Sequence, residues 1–191
     1  MKRQLGLVLL LVTTLPLLAD EPEISAQLGL EIRGQGNRRA KARDTIKLNE
    51  RVFAYTMAAQ DSYQYVILTA AGKSRLINAG REKAYKGEAE AFPSLEQGWA
   101  PAGTGPVEVT FIISKQMIAE LAPLQNGTSA DDWRKIEEKL REKARINDAA
   151  GKPTPIAANV RSIGASVFAR QLPKYSGSGI IAARFHLDVQ N

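Results

Sequence analysis

Two segments near opposite ends of the chain have apolar residues at every second position. From Glu23 to Arg33 the sequence reads EISAQLGLEIR, and from Gly179 to Gln190 it reads GIIAARFHLDVQ. A period of two places alternate side chains on opposite faces of an extended strand. We therefore predict a half-buried strand in each segment, with the polar side chains of each strand facing solvent.

The segments between these strands predict a mainly β fold. Tyr63–Thr69 is aromatic and apolar on both faces, which is typical of a central strand covered on both sides, and Val107–Ser114 predicts another strand. Hairpin-type turns are frequent and strands do not alternate with helices, so we predict a β-sandwich with a helical insertion over residues 115–150.

Two helices are predicted within that insertion. The first is short, covers Lys115–Leu124 and is ended by Pro123, since proline lacks the backbone N–H that a helix needs. The second is long: Ser129 is its N-cap and Asp132 occupies the capping-box position. On its solvent side we expect two i,i+4 ion pairs, Arg134–Glu138 and Glu137–Arg141.

The stretch LTAAGKSRL, residues 68–76, contains the last three residues of a phosphate-binding loop motif. The complete motif requires a glycine at position 67, where this chain has Ile67. A β-hairpin accounts for the stretch better, because Gly72 supplies the positive φ of a tight turn. Lys73 and Ser74 are then expected at an exposed hairpin tip. The loop-rich residues 80–106 follow, with Tyr85, Phe92 and Trp99 expected to fold back onto the core.

The first residues have the order of a secretory signal peptide. Lys2 and Arg3 precede an apolar run that ends at Ala19, after which we predict cleavage. Retention of the run as a membrane anchor is the alternative. The chain contains no cysteine, which excludes disulfides and thiolate metal sites. We expect a periplasmic or secreted protein with three regions: signal peptide 1–19, N-terminal strand and basic loop 20–43, and β-sandwich domain 44–191.

Charge and aromatic residues suggest binding sites. The net charge of +6 at pH 7 is too small to indicate nucleic-acid binding. The densest basic cluster is the loop of residues 33–43, which could bind an anionic envelope polymer or an acidic partner, or could be a solvated linker. It contains Arg33 and the four candidate binding residues Arg38, Arg39, Lys41 and Arg43. Trp99 and Tyr175 lie in glycine-rich loops, where each is either a ligand platform or an anchor for its loop.

Catalytic patterns are weak. His186 is the only histidine and shares the polar face of its strand, and one histidine without cysteine excludes a zinc site that needs two such ligands. Four carboxylates in or beside the loop-rich middle could include a glycosidase pair or could be ordinary surface groups: Glu88, Glu90, Glu96 and Glu108. We assign no catalytic, cofactor-binding or metal-binding residue.

Several segments in order resemble a bacterial domain-of-unknown-function family that occurs in exported and multidomain proteins. They are DTIKLNERVFAYTMAAQDSYQYVILTAAGKSRLINAG, FPS, GTGPVEVTFIISKQ and IIAARFHLDV. The matching positions are Tyr63, Tyr65, Gly72, Lys73, Glu108, Ser114 and Leu124. The resemblance covers roughly residues 44–190, and it implies an immunoglobulin-like β-sandwich that acts as an accessory or binding module without established catalytic residues.

These observations together predict an exported, non-catalytic accessory domain of the bacterial cell envelope that mediates protein–protein interaction. Two alternatives stay open. One is a carbohydrate-active hydrolase that uses the acidic loop residues, and the other is a structural protein that binds anionic envelope polymer through the basic loop.

Overall fold

The computed structural model describes residues 23–143 and 171–191. The predicted signal peptide, the predicted extended segment Asn159–Arg170 and the predicted end of the long helix near Gly151 all lie outside the described residues. None of the described helices is both long and apolar enough to cross a membrane.

The described residues form twelve β-strands, one 3₁₀ helix and one α-helix. The strands are β1 Glu23–Arg33, β2 Arg38–Arg39, β3 Arg43–Lys47, β4 Arg51–Ala58, β5 Ser62–Ala70, β6 Lys73–Leu76, β7 Lys83–Ala84, β8 Ala89–Phe92, β9 Gly105–Ser114, β10 Thr128–Ser129, β11 Lys174–Ser178 and β12 Ile180–Gln190. The 3₁₀ helix covers Ala119–Gln125 and the α-helix, α1, covers Ala130–Lys143.

The strands form two sheets, which is consistent with the predicted β-sandwich. The five-stranded sheet has the order β11-β1-β4-β8, with β2 paired to β1. The seven-stranded sheet has the order β10-β6-β5-β9-β12-β3, with β7 paired to β5. Neighbouring strands are antiparallel, except that β3 runs parallel to β12. The predicted strands at the two ends of the chain, β1 and β12, therefore lie in different sheets.

The main core contains the apolar faces of both sheets. Leu28 and Leu30 of β1 belong to the same buried cluster as Phe111 of β9 and Phe185 of β12. The two phenylalanine rings meet edge to face, with 5.7 Å between their centroids. Burial alternates along β12 as its period predicted, since its five buried residues are Ile181, Ala183, Phe185, Leu187 and Val189.

A second apolar cluster lies on the outer face of the seven-stranded sheet, beneath the two helices. Tyr65 and Ile67 of β5 pack there with Leu121 of the 3₁₀ helix and with Trp133 of α1. Strand β5 is therefore covered on both faces, which confirms its prediction as a central strand and explains its continuous apolar sequence.

The start of α1 agrees with the predicted capping, whereas the predicted solvent exposure of Glu137 is wrong. The side chain of Arg141, its predicted partner, lies outside the described residues, and Arg134 lies 3.6 Å from Asp131 and not beside its predicted partner Glu138. The backbone N–H of Asp132 donates to Ser129 Oγ at 3.0 Å, and the serine hydroxyl lies 2.7 Å from the Asp132 carboxylate. Glu137 is buried and forms an ion pair with Arg184 of β12. The prediction placed Glu137 on the solvent side because sequence spacing alone does not show that a charged strand residue lies beneath the helix.

The short helix is also displaced from its prediction. It is a 3₁₀ helix that starts at Ala119, four residues after the predicted start, and contains Pro123 in its interior. Proline fixes φ near −65°, which lies within the usual range for a 3₁₀ helix, so one missing N–H is tolerated in this short element.

The GKS stretch forms a β-hairpin between β5 and β6, as predicted. Its two turn residues are Ala71 and Gly72, with φ of 49° and 74°, the positive values of a type I′ turn. Lys73 is exposed as expected, but Ser74 is buried, and its hydroxyl lies 2.7 Å from the Thr69 hydroxyl across the hairpin. The prediction of an exposed Ser74 is wrong because this serine shares a face of β6 with Leu76, which packs in the apolar cluster beneath the two helices.

The polar face of β1 is exposed only at its beginning. Gly29 and Glu31 are buried, although the alternation predicted both on the solvent side. A Cβ atom at Gly29 would lie 2.9 Å from the Leu172 side chain, which shows how closely the residues before β11 cover this strand. The burial depends on a segment far away in sequence, which the local period cannot reveal.

Candidate functional site

The site with the most concentrated functional chemistry is a cleft on the outer face of the seven-stranded sheet, which we name the tyrosine cleft. Its defining residues are Tyr63, Tyr65, Arg81, Tyr85 and Met117, and its volume is about 740 Å³. Residues 80–90 form one wall, and residues 117–125, which include the 3₁₀ helix, form the other. A concave site with aromatic residues and a few charged groups is the usual form of a ligand site.

The floor of the cleft is built by β5. Tyr63 and Tyr65 are two residues apart and therefore lie on the same face of the strand. The Tyr65 hydroxyl accepts the backbone N–H of Ile118 at 2.9 Å, which ties the floor to the second wall. Burial raises the pKa of Tyr65, because the phenolate loses solvation. Tyr63 is only half buried and offers its ring to a ligand.

Asn78 holds the first wall in place. Its Oδ1 accepts the backbone N–H of Val66 at 2.9 Å, and its Nδ2 donates to the backbone oxygens of Gln64 and Arg81 at 2.8 and 3.2 Å. The side chain thereby satisfies the backbone of β5 where β6 has already ended. Sequence reasoning missed this role; the signal was a polar residue directly after the apolar pair Leu76-Ile77.

A polar network behind the wall fixes Glu90. Gln64 Nε2 donates to Glu90 Oε1 at 2.7 Å, while Arg81 Nη2 lies 2.9 Å from Glu90 Oε2. The Thr56 hydroxyl donates to Gln64 Oε1 at 2.5 Å, and both residues are buried. The Arg81 guanidinium lies over the Phe92 ring, 4.6 Å from its centroid. Each Glu90 oxygen thus accepts a hydrogen bond from one of these two side chains, which fixes the orientation of the carboxylate.

Two large apolar side chains project into solvent at the two walls. Tyr85 is 52% exposed and Met117 is 67% exposed. The prediction that the aromatics of residues 80–106 fold back onto the core is correct for Phe92, which is fully buried, and wrong for Tyr85. Four large hydrophobic residues are exposed within the described ranges, and the other two, Leu48 and Leu95, do not line the cleft.

The four carboxylates considered for hydrolysis lie in separate places. Glu88 and Glu90 both line the tyrosine cleft, whereas Glu96 is exposed and does not. Glu108 lies on β9, where its Oε1 is 3.1 Å from Nδ1 of His186 on β12. The predicted solvent-facing histidine is half exposed and forms this contact across neighbouring strands.

The basic loop is more ordered than its sequence suggests. Arg38 Nη1 lies 2.7 Å from Asp44 Oδ2, and Arg38 Nη2 donates to the backbone oxygen of Thr45 at 2.7 Å. Arg39 donates to the backbone oxygen of Gln171 at 2.9 Å, and the two arginines form strand β2. The remaining pair, Lys41 and Arg43, is exposed. The loop therefore does not present four equivalent free cations.

The contribution of Asp44 to the stability of the fold depends on pH. Burial tends to raise the pKa of Asp44, but the N–H groups of Lys41 and Thr45 and the charge of Arg38 outweigh it, so the pKa is lowered. A lowered pKa stabilises the fold above the ordinary carboxyl pKa of about 4, and the contribution is lost as the pH falls below it. We expect Asp44→Asn to be less stable than the wild type at pH 7 in urea unfolding, with a smaller difference near pH 3. A constant difference at both pH values would contradict this assignment.

Trp99 and Tyr175 lie apart from the basic loop. Trp99 exchanges two 2.8 Å backbone hydrogen bonds with Val52 of β4, and its half-buried side chain packs against the core between the sheets. Tyr175 lies on β11 opposite Ala26 and also packs against this core. Both aromatics anchor their segments. Trp99 in addition lines a second groove, beside the β5–β6 hairpin.

No group of three or more His, Asp or Glu side chains within residues 23–143 and 171–191 is arranged to hold a metal ion. Comparison with protein-family models, with curated proteins and with solved structures finds no match to this chain. The resemblance to a bacterial domain-of-unknown-function family stays a prediction.

Proposed function

We propose that the protein is an exported, non-catalytic accessory domain of the bacterial cell envelope, with an immunoglobulin-like β-sandwich, and that it binds a partner protein through the tyrosine cleft. The observation that carries the proposal is the concentration of exposed apolar side chains there. Tyr85 and Met117 are each more than half exposed and lie on opposite walls of one concave site. Tyrosine, methionine and arginine are enriched at protein interfaces, where buried aromatic anchors contribute most of the affinity.

The charges around the cleft define the partner. Arg81 and Lys83 lie beside Glu82 and Glu88, so both signs of charge surround an apolar centre. A segment with one aromatic or branched apolar anchor, flanked by charged residues of both signs, complements this arrangement. Asn78 and the Glu90 network hold the wall before any partner arrives, which lowers the entropy lost on binding.

The cleft predicts a specific effect of substitution. A displayed library of random peptides, selected on the wild type, should yield binders that share an apolar anchor with flanking charges. We expect Met117→Glu to weaken these peptides by about tenfold or more, since it places an unpaired charge where the anchor docks. Tyr85→Ala should act in the same direction. Both residues are exposed, so circular dichroism and the melting temperature should stay close to those of the wild type.

Two matched controls are available. Leu48→Glu and Leu95→Ala change exposed apolar residues outside the cleft, so they should leave peptide affinity unchanged. If the library yields no binders, or if the binders respond equally to the cleft variants and the controls, the tyrosine cleft is not the binding site.

The hydrolase alternative is supported by one observation, that Glu88 and Glu90 share this cleft. It requires a carboxyl group that can donate a proton, whereas Glu90 accepts hydrogen bonds from Gln64 and Arg81. Release of reducing sugar from envelope polysaccharide by the wild type, abolished in folded Glu88→Gln or Glu90→Gln, would favour the hydrolase over the binding domain.

Export is the other part of the proposal. Lys2 and Arg3 followed by the apolar run to Ala19 support it. The mature protein should be recovered outside the cytoplasm with a mass that corresponds to cleavage after Ala19. Recovery of the uncleaved chain in the membrane fraction would instead support the retained anchor.

A further inference from the structure

A second groove lies beside the β5–β6 hairpin and shares only Gln125 with the tyrosine cleft. We name it the hairpin groove and define it by Lys73, Arg75, Trp99, Gly103 and Val107. Its volume is about 830 Å³. The hairpin forms one side and the glycine-containing residues 102–106 form the other.

The hairpin groove has two exposed cations on one side. Lys73 and Arg75 are two residues apart on β6, so both project from the same face of the strand, with Cα atoms about 7 Å apart. Both are exposed, and the ion pairs found among the described residues include neither of them. Two unpaired cations this close repel one another unless an anion lies between them.

The floor of the groove is apolar and contains an aromatic ring. Leu68 and Val107, from the neighbouring strands β5 and β9, are buried at the floor, and the half-buried Trp99 lies beside them. This is the edge of the core between the two sheets, since all three side chains belong to or pack against that core. A bare inorganic anion would use the cations but not the floor. A sugar ring uses both, because its C–H face packs on an aromatic ring while its substituents form hydrogen bonds.

The other side is open and polar. A Cβ atom at Gly103 would meet no atom within 4 Å, so space is free beside the groove. Thr104 lies on this side, and Asn126 lies at the hairpin end; both can hydrogen-bond to sugar hydroxyls. The lining thus combines an aromatic ring, hydroxyl or amide groups and three basic residues, Lys73, Arg75 and Arg134. It also contains one carboxylate, Glu108, whose Oε1 lies 3.1 Å from Nδ1 of His186.

We propose that the hairpin groove binds an anionic polysaccharide, with Lys73 and Arg75 on its carboxylate or phosphate groups and Trp99 against a sugar ring. Arginine recognises both kinds of anion through paired N–H donors. The site is separate from the proposed protein-binding cleft, so a variant of one should leave the other intact. It also differs from the basic loop at residues 33–43, where Arg38 and Arg39 already have partners.

The test measures binding of the full mature chain to four probes by calorimetry and by tryptophan emission. Polygalacturonate supplies carboxylates, phosphorylated dextran supplies phosphates, dextran is the neutral polymer, and inorganic polyphosphate is an anion without sugar. We expect binding to at least one of the two anionic polysaccharides, which identifies the source of the anion, and weakening as salt is raised. Tryptophan emission should change on binding, and Trp133 is buried beneath α1, so the change reports Trp99.

Three variants assign that binding to the groove. Lys73→Glu combined with Arg75→Glu should reduce affinity about tenfold or more. The matched control combines Lys47→Glu with Lys174→Glu, which reverses the same amount of charge at two exposed positions on other strands and should retain binding. Gly103→Phe leaves all charges in place and inserts a ring beside the groove, so it should also weaken binding. Unchanged melting temperatures establish that each variant is folded.

Any of four results overturns the proposal. The first is that the protein binds neither anionic polysaccharide, and the second is that it binds dextran as tightly as it binds them. The third is that the Lys47→Glu, Lys174→Glu control loses as much affinity as the groove variant, and the fourth is that polyphosphate binds as tightly as the polysaccharides without a change in tryptophan emission. None of these results affects the peptide-binding test of the tyrosine cleft, so the two proposals fail or stand separately.

Discussion

Replacing Trp133 with alanine is expected to lower the free energy of unfolding by about 3–5 kcal/mol. Trp133 is 1% exposed and fills the space between α1 and the outer face of the seven-stranded sheet. Its neighbours there include Tyr65 and Ile67 of β5, which also belong to the central part of the sheet. Removing the indole leaves a cavity that these strand residues can close only in part. Urea unfolding followed by circular dichroism measures the loss.

A phenylalanine at the same position is the matched control. Trp133 Nε1 is buried without a hydrogen-bond partner among the described residues, so Trp133→Phe removes an unsatisfied N–H while it keeps an aromatic ring. We expect it to lose less than half of the stability that Trp133→Ala loses. A loss below about 1 kcal/mol in the alanine variant, typical of surface positions, would show that α1 does not cover this core.

Replacing Arg33 with methionine is expected to cost about 3 kcal/mol, because it leaves a buried carboxylate without its cation. Glu31 is 1% exposed, and its Oε2 lies 2.8 Å from Arg33 Nη2 and 2.7 Å from the Tyr55 hydroxyl. The guanidinium also contacts the Tyr55 hydroxyl at 2.6 Å and lies over Phe53, 3.8 Å from the ring centroid. The hydrogen bond to Glu31 is the main reason that the pKa of Arg33 is raised.

The double variant with Glu31→Gln separates this charge effect from lost packing. If an uncompensated charge causes the loss, the double variant should be more stable than Arg33→Met alone, although it carries one more substitution. Both are compared in urea at pH 7. A double variant that is less stable than the single one would mean that the arginine acts through its packing on Phe53.

Local patterns in the sequence predicted the four longest strands, β1, β5, β9 and β12. Buried and more exposed residues alternate along β12 with the predicted period of two. The continuous apolar run in β5 corresponds to a strand covered on both faces. The tight turn at Gly72 and the N-cap at Ser129 were also predicted correctly, because each depends only on residues within four positions. Features of this kind are determined by the chain near them.

The errors concern features that depend on distant residues. Glu31 was expected in solvent, but it is buried, because its face of β1 is covered near Leu172. Gln27, which lies on the same face, donates a hydrogen bond to the Leu172 backbone oxygen. The two residues of this hydrogen bond are 145 positions apart in the sequence. Glu137 was expected on the open side of a helix, but Arg184 lies beneath it. A one-dimensional pattern shows which face differs from the other, not what covers each face.

Less of the candidate site than of the fold could be predicted from the sequence. Charge density drew attention to Arg38, whose guanidinium is engaged by Asp44. The exposed anchors Tyr85 and Met117 are 32 positions apart in two different loops, and only the pairing of β5 with β7 and the position of the 3₁₀ helix bring them to one cleft. The sequence predicted that Trp99 is either a platform for a ligand or an anchor for its loop. In the structure its side chain packs against the main core and also lines the hairpin groove.

Photo-crosslinking in cells that produce the protein tests most directly whether a partner protein binds in the tyrosine cleft. A photoreactive amino acid is placed at position 85 or 117 and, as controls, at position 48 or 95. We predict that the two cleft positions give the same discrete protein adduct and that the control positions do not. Met117→Glu should also remove the adduct from position 85. Adducts of equal yield from all four positions, or none from either cleft position, would contradict a partner in the tyrosine cleft.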